Sequence, residues 1–230
     1  MHVYQQDGKR SGAYMSGGVY GAHTFILLYH NDDFQSASTF AHEWGHAIHT
    51  ILANEEQAYP TARYSIFVAE TAAIMLEMLL EDLVSSRAET PEEKLYYLGN
   101  ALESLRGTYY RQAMFAECEY KVYAMADASE PLTGEKMTEI YLDLLKRYHA
   151  HDEGVVVIDD IYGIEWAYIP HFYYDFYVFQ YSTSIAAASS MAEKVRSGDM
   201  EARDQFIELL KAGGNGYPYV LMKEAGIDLA

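Results

Sequence analysis

The sequence predicts a mainly α fold with a small β-sheet near its N-terminus. Turn signals and short apolar runs fill residues 1–31, and from Asp33 onward capping residues bound a series of long apolar or helix-periodic stretches. Within the first of these, Phe40–His49 places two histidines four residues apart with a glutamate beside the first.

In residues 1–31, Gly8-Lys9-Arg10-Ser11-Gly12 and Ser16-Gly17-Gly18 read as turns, and Ala13–Met15 and Thr24–Tyr29 as short strands. Such a strand beside the helix that follows would offer an extended peptide an edge to pair with. Asp33 or Ser36 caps that helix, which runs to about Asn54 with Phe40, Ala47, Ile48 and Ile51 on its apolar side. Pro60-Thr61 breaks the chain, and Thr61 caps a second helix reaching about Ser86. Its apolar content from Ile66 to Leu80 is too continuous for a surface helix, which places it centrally. Thr90-Pro91-Glu92-Glu93 starts a helix that extends toward Ala128 with a break near Gly107. Thr133–Lys136 starts another, carrying Ile140, Leu144, Leu145 and Tyr148. Val155–Ile158 is strand-like or a buried connection. Helices over about Phe172–Val195 and Met200–Lys211 come next; Gly213-Gly214-Asn215-Gly216 stops the latter, and Tyr217–Ala225 forms a last short one. No internal repeat is visible.

The 230 residues suffice for one large or two small domains, and the expectation is a single domain over 1–230. Acidic residues outnumber basic ones 34 to 16, a net charge of −18. That balance argues against nucleic acid or an anionic membrane as partner, since both require a basic patch. The single cysteine, Cys118, excludes an internal disulfide and fits a reducing compartment. The polar start Met1–Gln5 does not read as a signal peptide, and no apolar run is long enough to span a bilayer. The expectation is a soluble, cytoplasmic protein.

His42 and His46 lie about 40° apart on a helix, so two imidazole nitrogens share one face and can take two corners of a tetrahedral Zn²⁺ site. Glu43, next in chain to His42, is too constrained to be a further ligand but is close to any water the metal holds. This is the H-E-x-x-H arrangement, two ligands and a general base on one helix. A catalytic zinc takes a third protein ligand and keeps a fourth position open. A third histidine six residues after His46 is not available, because Leu52 stands there. Glu55 and Glu56 come too soon, at the end of the same helix. Glu70, 24 residues after His46 among Phe67, Val68, Ala69, Ala72 and Ala73, would be costly to bury unless it binds a cation. A salt bridge to Arg63, or a place on the helix's one wet face, are the alternatives. Glu77, two turns on, is a candidate acceptor for a ligand histidine N–H or a solvated side chain.

Four segments resemble the oligoendopeptidase F branch of the thimet oligopeptidase/oligoendopeptidase F family of zinc peptidases. They are Gly8–Tyr14, Thr39–His49, Ala69–Ala72 with Glu77, and Ile169–Thr183, and the likeness spans nearly the whole chain. The resemblance implies a zincin-like multi-helix catalytic domain that cleaves internal bonds of short oligopeptides. It implies one Zn²⁺ ion held by His42, His46 and Glu70, with Glu43 as general base. The family's His/Tyr segment, which supports substrate binding and the oxyanion, points to His171 with Tyr174 and Tyr177. Here the chain departs from the wider family, with Phe176 or Phe179 where a tyrosine is usual; an aromatic-rich core helix is the plain alternative. Family members also carry a large helical N-terminal half that encloses the site. Its absence here implies a missing partner half or a homo-oligomer over the open cleft, or a non-catalytic, partner-dependent peptide-binding fragment.

Overall fold

The computed structural model describes residues 2–9 and 12–229. It is mainly α with a three-stranded sheet at the N-terminal end, as the sequence predicts. The chain divides into two compact units. One combines the residues up to Ala101 with those from Thr183 onward, and the other is Leu102–Ser182.

In the first unit the strands are β1 (His2–Tyr4), β2 (Tyr14–Ser16) and β3 (Phe25–His30), in the order β1-β3-β2. β1 runs parallel to the central β3, and β2 antiparallel to it with Met15 opposite Ile26. Ile26 and Leu28 alternate inward and pack with Ala47, Phe40 and Met15, joining the sheet to helix α1 (Phe34–Glu56). Asp33 caps α1 by accepting the Ser36 N–H at 2.7 Å, and Asp32 makes the turn out of β3 at φ 56°. Arg10 and Ser11 of the predicted first turn lie outside the described residues.

Helix α2 (Ile66–Ser86) is buried without interruption from Val68 to Met75, which accounts for its continuous apolar run. Its cap is Ser65, which accepts the Phe67 N–H, and not Thr61, which lies in a 3-10 turn at Tyr59–Thr61. The connection before α2 is fixed by the glycine loop at 213–216. Gly214 N–H donates to Thr61 O at 2.8 Å, and a Cβ at Gly214 would lie 2.2 Å from Arg63 O. Helix α3 (Pro91–Leu105) passes through a π-helical turn at Arg106–Tyr110, where Gly107 predicts a break, into α4 (Arg111–Asp127). The first unit's remaining core joins α2 to α6 (Phe179–Arg196), α7 (Met200–Lys211) and α8 (Pro218–Glu224) through Ile185, Met191, Phe206 and Met222.

In the second unit, α4 packs on α5 (Gly134–Tyr148) around Met114, Phe115, Cys118, Tyr141 and Leu144. Two expectations fail here. Val155–Val157 is neither strand nor buried connection: it follows a bend at Gly154 (φ 75°), and Val157 is 84% exposed, while Ile158 alone of the run packs against the core. The helix expected from Phe172 begins at Phe179. The segment before it is a 3-10 turn at Pro170–Tyr173, followed by Asp175 and Phe176 at φ 46° and 53°, which no right-handed helix accommodates.

Candidate metal and catalytic site

The site starts from a close helix crossing. Gly45, between the two histidines on α1, sits against α2 so tightly that a Cβ there would lie 2.5 Å from Ala73 Cα and 2.8 Å from Ala72 O. The small residues at this crossing, Gly45 on α1 against Ala72 and Ala73 on α2, let the backbones approach and carry Glu70 to the histidine face.

His42 Nε2, His46 Nε2 and a Glu70 carboxylate oxygen converge, all within 4.8 Å of one another. The nitrogens are 3.2 Å apart, and Glu70 Oε2 lies 3.4 Å from His42 Nε2 and 3.7 Å from His46 Nε2. Bonds of 2.0–2.2 Å in a tetrahedron separate ligand atoms by about 3.3–3.6 Å. The triangle is therefore the size that one small divalent ion requires, and its donor set of two imidazoles and a carboxylate suits zinc chemistry. Of the described residues these three form such a group.

Behind it, His42 Nδ1 is in close contact with Glu77 Oε1, and Ser38 Oγ donates to the other Glu77 oxygen at 3.3 Å. Glu77 thus fixes which nitrogen of His42 faces the triangle. Burial disfavours a charge on His42, but its hydrogen bonds to Glu70 and Glu77 prevail and raise its pKa to about 10. Burial lowers His46 to about 4, with attraction from Glu70 and repulsion from His42 as smaller effects. The two neighbouring carboxylates favour a positive charge at this point. A divalent cation in the triangle would supply that charge instead and leave His42 neutral.

Glu43 is 6% exposed. Burial raises its pKa, opposed by attraction to His42 and by a hydrogen bond from the Met15 backbone. That hydrogen bond ties the glutamate to β2, which pairs with β3 on one side and is one of the two outer strands of the described sheet. A carboxyl whose pKa burial raises therefore sits against an edge strand.

His49, the last histidine of the motif, takes no part in the triangle. It is fully buried and stacks on Tyr64 with centroids 3.5 Å apart and planes 9° apart. The Tyr64 hydroxyl donates to His46 O at 3.3 Å and bonds Thr50 Oγ1 at 2.6 Å, bracing the ligand turn from behind. Sequence reading does not single out Tyr64.

In the second unit His171 lies in the 3-10 turn, not at the start of a long helix. Its ring stacks on Tyr177 (5.4 Å, 17°), and Tyr174 and Tyr181 approach edge-on at 6.4 and 6.0 Å. The Tyr177 and Tyr181 hydroxyls are 3.2 Å apart. The structure thus gathers the three predicted residues and adds Tyr181, four residues after Tyr177.

A fold that crosses two helices at a glycine to gather two imidazoles and a carboxylate is one that could hold a metal ion. The particular family is set by sequence: the chain belongs to peptidase family M3, whose model matches residues 1–230. It is 41% identical to the oligopeptidase PepF of Bacillus subtilis over 227 residues, 99% of this chain and 33% of that protein. It is 40% identical to the plasmid oligoendopeptidase F of Lactococcus lactis subsp. cremoris, over 99% of this chain and 37% of the relative. The crystal structure of oligoendopeptidase-F from Enterococcus faecium matches with a TM-score of 0.70 and 34% identity, over 84% of this chain and 34% of that one. The chain spans about a third of the length of these relatives. Among the described residues no helix is long and apolar enough to cross a membrane.

Proposed function

We propose that this chain carries the catalytic site of a zinc endopeptidase that hydrolyses internal bonds of short oligopeptides. The convergence of His42, His46 and Glu70 into a triangle of tetrahedral size is the observation that supports it most. These three residues would hold the ion. Zinc bound there supplies Lewis-acid polarisation and a more acidic water.

The chain's own residues do the rest. Glu43 accepts the water's proton on its carboxylate and delivers it to the leaving amine, a role its raised pKa favours. The outer edge of β2, tied to Glu43 through Met15, is suited to hold an extended peptide by backbone hydrogen bonds. For His171, Tyr174 and Tyr177 the proposal is hydrogen-bond donation to the substrate and its developing oxyanion, and the geometry adds Tyr181 to that group.

Purified chain is expected to cleave a quenched fluorogenic peptide, to lose activity with a zinc chelator and to regain it when zinc is restored. Cleavage that ignores the chelator would sink the metal role. Zinc binding without cleavage would favour the second reading, a partner-dependent peptide-binding fragment, which the span of about a third of the relatives' length motivates.

Glu77→Gln is expected to weaken zinc binding about 10- to 100-fold, because the carboxylate that orients the His42 ring becomes a neutral amide. Competition with a chromophoric chelator reads this directly. An unchanged affinity would reduce Glu77 to a surface acid.

A further inference from the structure

We propose that Glu119 and Tyr123 are positioning residues that clamp the left-handed turn Asp175–Phe176 and thereby shape the cluster of His171, Tyr177 and Tyr181. The functional meaning of the clamp rests on the donor role given above to that cluster.

Two consecutive non-glycine residues at positive φ are a conformation that side chains resist, and for a bulky aromatic such as Phe176 the resistance is strong. Something must hold the turn. Glu119, buried in α4, accepts the Phe176 backbone N–H at 2.6 Å. One helical turn later, the Tyr123 hydroxyl donates to Asp175 Oδ1 at 2.8 Å, and its ring lies 4.5 Å from that of Phe176. One turn earlier, Phe115 packs edge-on against Phe172 at 5.4 Å. Residues 115, 119 and 123 therefore form one face of α4 that grips the segment on both sides of Tyr174.

The turn has a direct consequence for the cluster. On an α-helix, residues 171 and 177 would stand about 240° apart, six steps of about 100° each, and their rings could not meet. The reversal at 175–176 is what brings them to a 5.4 Å stack. Without Glu119 the Phe176 N–H loses its partner and the segment is free to relax toward the right-handed conformation that its sequence favours.

The test reads the His171 ring proton resonance by NMR, assigned by its loss in His171→Gln. In the wild-type chain the Tyr177 face displaces it from the position of an exposed histidine. Glu119→Leu is expected to abolish that displacement, while the His42 and His46 resonances, the zinc stoichiometry and cooperative unfolding stay as they are. Glu119→Gln, whose amide oxygen still accepts the N–H, is expected to retain it. Tyr123→Phe, which removes one hydrogen bond at a partly exposed position, is expected to lose part of it. A folded Glu119→Leu with an unmoved His171 resonance overturns the proposal, as does loss of the displacement in Glu119→Gln. If Glu119→Leu does not fold, an unmoved resonance in Tyr123→Phe overturns it. Peptide cleavage measured alongside is expected to show a lower kcat with little change in KM for Glu119→Leu. A wild-type chain that cleaves nothing counts against the peptidase reading and leaves the NMR result to decide the clamp.

Discussion

Glu43→Gln is expected to leave the fold and zinc affinity intact and to lower kcat/KM by about 10²–10⁴-fold, the range of a lost general base. The substitution keeps the volume of the side chain and the oxygen that receives the Met15 backbone hydrogen bond. It removes the capacity to take a proton. Glu43 is nearly buried, and its carboxyl is already raised by that burial, so the neutral amide is tolerated without a desolvation penalty. A structural role for Glu43 predicts the reverse pattern, with stability changed and turnover preserved. Steady-state kinetics paired with zinc titration separates the two.

Gly45→Ala carries the second large effect, and two opposed magnitudes decide its sign. On an open helix glycine to alanine stabilises by about 0.5–1 kcal/mol through backbone entropy. At Gly45 the new methyl would lie 2.5 Å from Ala73 Cα, against backbone that cannot rotate away. Overpacking of this kind typically costs about 1–3 kcal/mol, so the net change is destabilising. The sharper consequence is at the metal. Pushing α2 off α1 moves Glu70 away from both histidines, so zinc affinity is expected to fall and turnover to drop by about two orders of magnitude, as for other misplacements on the order of 1 Å. Gly99→Ala is the control: a Cβ there meets nothing within 4 Å, so it should be neutral or stabilising. Equal behaviour of the two variants in urea unfolding and chelator competition would show that the crossing does not set the site.

Much of the first unit is legible in the sequence because its signals are local. Asp33 and the helix period place α1, and the glutamate between two histidines has few uses other than a metal site. Glu70 stands out because a carboxylate in an apolar helix requires a cation. What brings Glu70 to the histidines is less visible, since the small residues that permit the crossing read in sequence as ordinary helix composition. The cap of α2 is ambiguous for a local reason: Thr61 and Ser65 are both good cap residues, and the tertiary contact of Gly214 with Thr61 decides between them. The His171 segment is where local pattern fails. Phe172–Val178 has no glycine to mark a reversal, so its aromatic run reads as helix, whereas α4 supplies the acceptor and the ring that hold Asp175 and Phe176 left-handed. The stack of His171 on Tyr177 is found only once that reversal is known. Val155–Val157 misleads in the opposite sense, because apolar character alone does not say what covers a residue.

The central claim is that His42, His46 and Glu70 bind one zinc ion. Diffraction from zinc-soaked crystals, collected on both sides of the zinc absorption edge, tests it most directly. One anomalous peak is expected about 2.0–2.2 Å from His42 Nε2, His46 Nε2 and a Glu70 oxygen. A zinc peak bound elsewhere, or a fully zinc-exposed crystal with no peak inside that triangle, would contradict it.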